Sequence, residues 1–454
     1  MNSPLSGFRD LSEPRNVTLI SATHGVNEFF SIAIPPIIPF LVADLDITYT
    51  QGGLLLTVFF VMYSVFQLPA GVIADRIGKK RLLVAGLIGM VIGIYLAAMA
   101  TSYEALVASQ VVAGISGSTY HPTGMSLISD FETDTTEGKA MGVFGFFGMV
   151  GVAGAPLVIG GLAGVIDWRF GLAVAATLGL AFTLVFAVLF ADPDDSGDHE
   201  PSLDDESTDD ATSPDGGPTA DSTPTDGAPM DETASSDITD STGPGARLSR
   251  IREHVVEVLR VPMTLTVVLL LAMTVLVSLQ TRAIMTFTTS YVADTTGGTA
   301  TLGNAVFFVM LVAGSISSLW AGSLADRVHR GTLGVAVSVA TAALLAVTYL
   351  LVTGSRAVPE HLLVGSLLAL FFVIGITMYA CVPVKNAIIS SEAEREFSGS
   401  LFGLTQTSSA VGSATGPALF GFLATEFGMS VAYPLIGGVS LLIGGVFLLL
   451  SREA

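Results

Sequence analysis

The chain has 454 residues, 51% of them hydrophobic and 13% charged, with a mean hydropathy of +0.69. Soluble domains carry about 25% charged residues, so a water-facing globular class is excluded for most of the chain. The net charge of −20 excludes a nucleic-acid binder, which needs a basic face.

In chain order, residues 1–16 form a polar tail with no evident cleavable leader. Twelve apolar stretches then recur, at roughly 17–41, 50–73, 82–100, 104–128, 139–163, 169–190, 262–290, 300–322, 332–353, 361–388, 399–424 and 430–450. Each is long enough to cross a bilayer as a helix. The expected fold class is an all-α membrane protein of twelve transmembrane helices, six within 17–191 and six within 261–450.

Between the two sets, residues 192–246 hold 17 Asp or Glu and no Lys or Arg, which leaves only −3 for the rest of the chain. This segment is rich in Asp, Ser, Thr, Pro and Gly and cannot bury enough apolar surface to fold, so it reads as a disordered acidic linker. Its acid load and the scarcity of Lys point to a salt-adapted source. Residues 247–260 read as an amphipathic helix, with Ile251, Val255, Val258 and Leu259 on one face. Such a helix lies on the membrane surface or simply leads into the seventh span.

The basic residues set the orientation. With the N-terminus in the cytoplasm, fifteen fall on that side: Arg9, Arg15, Arg76, Lys79, Lys80, Arg81, Lys139, Arg247, Arg250, Arg252, Arg260, Arg327, Arg330, Arg395 and Arg452. Only Arg169 and Arg356 fall outside, so both termini and the linker are expected inside a plasma membrane. Cys381, the single cysteine, excludes an internal disulfide. There is no Gly-rich phosphate loop and no Cys or His cluster at metal-ligand spacing, so no enzyme, cofactor or metal site is expected.

The halves repeat. Gly142, Gly151, Ala155 and Pro156 align with Gly403, Gly412, Gly416 and Pro417, all at an offset of 261. Pro122 aligns with Pro383 at the same offset, and Val42-Ala43-Asp44 with Val292-Ala293-Asp294 at 250. A parallel repeat of six-helix units is a transporter architecture.

Ionisable groups inside a membrane are costly and mark function. His24 and Glu28 sit four apart on the first span, hence on one face, with Asn27 beside them. His121 follows Tyr120 on the fourth span, Arg282 lies on the seventh, and Lys385 near the inner end of the tenth. The other eight spans carry no clear mid-span charge. Glu28 is the natural proton carrier, and His24 and His121 titrate near neutrality or bond substrate. Arg282 suits a bidentate anion. Lys385 is a second anchor or a residue that snorkels to the surface. Gln67, Gln110, Gln280 and Gln406 are further polar candidates.

Between the second and third spans the chain reads Gly71-Val72-Ile73-Ala74-Asp75-Arg76-Ile77-Gly78-Lys79-Lys80-Arg81, and a weaker copy runs Gly322-Ser323-Leu324-Ala325-Asp326-Arg327-Val328-His329-Arg330. Both resemble the loop signature of the major facilitator superfamily. The resemblance implies two pseudo-symmetric halves and a central cavity lined by spans 1, 4, 7 and 10. It also implies alternating access, with a gate at Asp75 and Arg76 and a weaker latch at Asp326 and Arg327, where His329 replaces the later glycine. Gly71 is expected to let helices approach.

The ladder Gly142, Gly151, Ala155, Pro156, Gly160 and Gly161 is similar to that of drug/proton antiporters, although Ala155 stands where the family prefers Gly. Small residues there pack helices closely, as do Gly412, Gly416 and Pro417 in the repeat. His24-x-x-Asn27-Glu28 and Tyr120-His121-Pro122 resemble a subgroup that includes fosmidomycin-resistance exporters, with Asn27 and Tyr120 as substrate contacts. That implies proton-coupled efflux of a small organic, including anionic, compound by a monomer. The partners are then a small-molecule substrate, protons and the lipid bilayer. Import of a carboxylate or sugar phosphate, a lipid flippase, and a transporter-like sensor using the acidic tether remain open.

Overall fold

The computed structural model describes residues 11–133, 136–190, 263–296, 298–325, 327–354, 359–392 and 398–453. The expected linker, the amphipathic segment 247–260, Asp326 and most of the N-terminal tail lie outside the described residues. All described regular structure is helical. The first span is α1 (Pro14–Ser31), a 3₁₀ turn (Pro35–Ile37) and α2 (Ile38–Leu45). Pro35 and Pro36 cannot donate into a continuing helix, and they break it there. The second and third spans are α3 (Tyr49–Ile77) and α4 (Lys79–Ala98), and the fourth divides into α5 (Tyr103–Gly117) and α6 (Tyr120–Phe131). The fifth is α7 (Glu137–Ala155), a π turn (Pro156–Gly160) and α8 (Gly161–Val165), and the sixth is α9 (Trp168–Leu189). The second half runs α10 (Leu265–Thr295), α11 (Ala300–Ala325), α12 (Arg330–Gly354), α13 (Glu360–Glu392), α14 (Ser398–Phe427) and α15 (Met429–Glu453).

Ten of these helical stretches are long and apolar enough to cross a membrane. The other two complete the set of twelve. One is the divided α5–α6 pair, and the other is α14, diluted by the run Thr405-Gln406-Thr407-Ser408-Ser409.

Local chemistry sets the ends. Thr48 and Gln51 form a reciprocal capping box that starts α3, Thr48 Oγ1 accepting from Gln51 N (3.2 Å) and Gln51 Oε1 from Thr48 N (2.8 Å). Gly78 turns α3 into α4 at φ +90° and ψ 142°, a conformation open essentially to glycine alone. That gives the glycine of the 71–81 loop a structural reason. Pro156 opens the π turn in the fifth span, which re-aims the helix beyond it.

The halves meet at one end. Call the side where α1 begins and α15 ends the base, and the opposite side the crown. The largest hydrophobic cluster lies toward the crown and is shared, with Phe30, Ile37, Phe59 and Trp168 from one half and Phe287, Tyr291, Phe307 and Phe371 from the other. Toward the base each half has its own core. Ile20, Leu87, Tyr120, Phe144 and Phe186 form one, and Leu270, Val277, Val384, Ile443 and Phe447 the other.

Polar seams follow the same division. Thr57 Oγ1 donates to Ala414 O (2.6 Å), Thr50 N to Thr425 Oγ1 (2.9 Å), Tyr49 OH to Asp294 Oδ2 (2.5 Å) and Asn304 Nδ2 to Pro36 O (3.0 Å). Backbones close the crown further, Gly53 against the Pro417 carbonyl and Gly421 against the Tyr49 carbonyl. Among the described residues the halves are therefore joined at the crown and keep separate cores toward the base, with a cleft between them there.

Small residues hold each half together as expected at some positions and not at others. Gly151 packs on the Gly25 backbone, its repeat partner Gly412 on the Val275 carbonyl and Gly416, the partner of Ala155, on the Leu279 carbonyl, giving matched α1–α7 and α10–α14 contacts. Gly142 does not pack: it is exposed and a Cβ there would meet nothing within 4 Å, because nine residues of helix set it on the face of α7 opposite Gly151. Gly71 likewise makes no close approach, its nearest neighbour being Pro122 Cβ at 4.0 Å.

Candidate functional site

The cleft narrows on a cluster built from α1, α6, α7 and α3. One turn separates His24 from Glu28, and His24 Nε2 stands 3.7 Å from Glu28 Oε1. His121, in the first turn of α6, places its Nε2 3.7 Å from the same oxygen. The His24 ring stacks on Phe144 (centroids 3.8 Å apart) with the parallel Tyr120 ring beside it (5.5 Å), and its Nδ1 bonds the Phe144 carbonyl at 2.8 Å. A carbonyl can only accept, so Nδ1 carries a proton, and Nε2 is the nitrogen that faces Glu28. Gly148 makes room for the ring, since a Cβ there would lie 2.5 Å from His24 Cε1. Ser31 Oγ donates to the Glu28 carbonyl (2.8 Å) and reaches Glu28 Oε2 at 3.4 Å.

Across the cleft, α10 contributes Arg282. Its guanidinium lies 4.3 Å over the Phe60 ring of α3 and within electrostatic reach of Glu28. Two elements of one half and one of the other thus converge on one carboxylate. The side chains of Glu28 and His121 are 16% and 33% exposed, so the cluster is reachable from the cleft.

Sequence reasoning named His24, Glu28, His121 and Arg282, and the fold brings all four together. Tyr120, expected as a substrate contact, is 1% exposed, and its hydroxyl is engaged by the Ile20 carbonyl (2.7 Å) and Thr23 Oγ1 (2.8 Å). Asn27 is fully buried and donates to Tyr63 OH (3.3 Å), with its Oδ1 unpartnered. Lys385 is buried on α13, one turn past Cys381, and forms no ion pair among the described residues. It stands apart from the Glu28 cluster. Tyr63, Phe60, Phe144 and Gly148 were missed, because aromatic and glycine residues in apolar runs carry no spacing signal. No metal cluster was visible as sequence spacing, yet donor atoms of His24, Glu28 and His121 lie within 4.8 Å of one another.

At the base end of α3, Asp75 and Arg76 are exposed and form no ion pair among the described residues, while Lys79 pairs with Asp130 at 2.5 Å. Arg327 is exposed in the corresponding turn of the second half, and Arg330 donates to the Ala387 carbonyl (2.9 Å).

A model of the Major Facilitator Superfamily matches residues 20–360 and, in an overlapping second match, 270–454. The chain belongs to the Major Facilitator Superfamily. Among solved members of similar fold, a bacterial homologue of the human lysosomal transporter Spinster, inward-facing and occupied, superposes with a TM-score of 0.71 at 12% identity over 96% of both chains. A point mutant of the nucleoside transporter NupG gives 0.67 at 12% identity, over 96% of this chain and 100% of that one.

Curated superfamily relatives include a probable L-galactonate transporter of Escherichia coli, 26% identical over 32% of each chain. The quinolone resistance protein NorA of Staphylococcus aureus is 28% identical over 36% of this chain and 41% of its own. The chain thus spans about a third to two-fifths of the length of these relatives. The superfamily it belongs to is one of multi-pass membrane transporters of small molecules, which in general are not enzymes.

Proposed function

We propose that the chain is a proton-coupled secondary transporter of the plasma membrane that exports a small organic compound by alternating access. The observation that carries this reading is the Glu28 carboxylate, set between two imidazoles and opposite Arg282 at the closed end of a one-sided cleft. A carboxylate with these neighbours exchanges its partner when substrate or a proton arrives, and that exchange is the coupling step. The fifteen-to-two distribution of basic residues makes the base the cytoplasmic side. The structure is then inward-facing, like the Spinster homologue it superposes on. In that state Asp75 and Arg76 are disengaged and the crown seam is shut. Export is supported by the likeness to NorA and by the glycine-rich fifth span.

The mechanism follows from which contacts are interchangeable. Opening the crown separates Tyr49 from Asp294 and Thr50 from Thr425, and closing the base brings the Asp75–Arg76 loop against the second half. Glu28 shifts between the histidines of its own half and Arg282 of the other, so its occupancy biases which end is closed. Import of an organic anion is the second reading. It is favoured by the likeness to a probable L-galactonate transporter and by two basic residues, Arg282 and Lys385, inside the membrane.

The test is transport in proteoliposomes by wild type, Glu28→Gln and Arg282→Ala. Coupling at this cluster predicts that Glu28→Gln loses substrate-driven proton movement while remaining folded. Unchanged flux and unchanged pH dependence in both variants defeats the assignment.

A further inference from the structure

The same cluster has the donor set of a transition-metal site. We infer that His24, Glu28 and His121 bind one divalent ion of the zinc, cobalt or nickel class. The inference rests on the reading that this cluster faces the transport cleft, and it does not depend on which ion drives transport. Two imidazole nitrogens and a carboxylate oxygen form a mixed nitrogen–oxygen set suited to these metals. They come from α1 and α6, 97 residues apart in sequence between His24 and His121, with no short spacing to announce them.

Three observations converge. First, the separations fit. Both Nε2 atoms stand 3.7 Å from Glu28 Oε1, beyond hydrogen-bond distance. Metal–ligand bonds of about 2.0–2.2 Å place neighbouring donors about 2.9–3.4 Å apart, so a modest side-chain rotation closes the gap. Second, the outer contacts are those of a ligating histidine. The Nδ1–H of His24 donates to the Phe144 carbonyl, which sets the ring orientation and leaves Nε2 as the nitrogen that faces Glu28 and would ligate a metal. That Nε2 is buried and has no hydrogen-bond partner. Third, the site is open on one side. The His121 side chain is 33% exposed, which gives an entry path and leaves a coordination position free on the cleft side. A hard cation such as Mg²⁺ prefers an all-oxygen shell and does not suit these donors. Once loaded, the ion engages the carboxylate that transport must release, so it holds the base-open state.

The experiment uses the full chain purified in detergent at high salt, titrated with Co²⁺ and read by visible absorption. One equivalent producing an intense band of four- or five-coordinate cobalt, displaced by Zn²⁺ and not by excess Mg²⁺, is the expected result. His121→Gln and Glu28→Gln each raise the Co²⁺ dissociation constant at least about tenfold. His121 is the first choice for substitution, since its partly exposed ring is not wedged in the core as His24 is. The acidic linker is present in every variant, so its weak binding cancels in the comparison. Identical cobalt spectra and affinities in wild type and the two variants, or no band in any of them, overturns the inference. Absorption reads the metal without transport, so this result and the proton-flux result succeed or fail separately.

Discussion

If alternating access opens the crown seam, crowding that seam should open it without substrate. Gly421 of α14 is the place to do so. A Cβ built there lies 2.5 Å from the Tyr49 carbonyl oxygen and 3.1 Å from Phe287 Cζ. Ordinary contact begins near 3.4 Å, so the Tyr49 backbone must retreat by about 0.9 Å. Tyr49 belongs to the opposite half, so crown opening relieves that clash, while Phe287, in the same half as Gly421, must give by about 0.3 Å in either state. Overpacking costs about 1–3 kcal/mol, which moves the balance between the two states about 5- to 150-fold toward the crown-open one. Gly438→Ala is the control, because its Cβ meets nothing within 4 Å. Double electron–electron resonance between labels at the exposed positions Ala43 and Glu426, one on each half of the crown, reads the outcome. Gly421→Ala should shift the distance distribution to longer values while Gly438→Ala leaves it alone. An unchanged distribution in Gly421→Ala, accompanied by a lowered melting temperature, would refute the seam as the moving part.

Three further outcomes follow from named contacts. Glu28→Gln should abolish substrate-driven proton movement in proteoliposomes and leave the melting temperature near wild type. Gly78→Ala forces a side chain into φ +90°, at about 1–3 kcal/mol, and should lower the melting temperature in a thermal-shift assay. Outside the membrane, Glu132 accepts from the Ser12 and Glu13 amides (3.0 and 3.1 Å) at the start of α1. Partial burial alone would raise its carboxyl, but hydrogen bonds from Thr136, Ser12 and Glu13 outweigh that and hold it below its ordinary value. A lowered carboxyl stabilises above its unfolded value, about pH 4.3, and the contribution is lost as pH falls through the folded value. The melting-temperature gap between wild type and Glu132→Ala should therefore be present at pH 7 and shrink below about pH 4.

Much of the fold was legible because it is written in apolar length and in the repeat. The bend at Pro156 was legible in its proline, but the break at Pro35-Pro36 was not, since Pro69, Pro383, Pro417 and Pro434 lie inside continuous helices. The site was legible in part, since His24 and Glu28 share a face by spacing, and an intramembrane charge announces itself by its cost. The rest depends on side chains meeting across helices. Gly148 matters and Gly142 does not, because α7 touches α1 at only one of them.

The repeat was visible, but its broken symmetry was not. Asp44 is held within its own half by Arg169 (2.6 Å) and Trp168 (3.2 Å). At the offset of 261 those two residues become Met429 and Ser430, which cannot replace them. Asp294, the partner of Asp44 in the repeat, is left to bond Tyr49 across the crown. One duplicated carboxylate thus braces a half while the other closes the seam.

The most direct test of proton-coupled export is the sense of proton movement in proteoliposomes. Small organic anions and drugs are added at high salt, and an internal pH dye is followed. Export by exchange predicts proton flux opposite to the substrate, abolished by Glu28→Gln. Flux in the same sense as the substrate, or substrate movement with no proton movement at all, contradicts it.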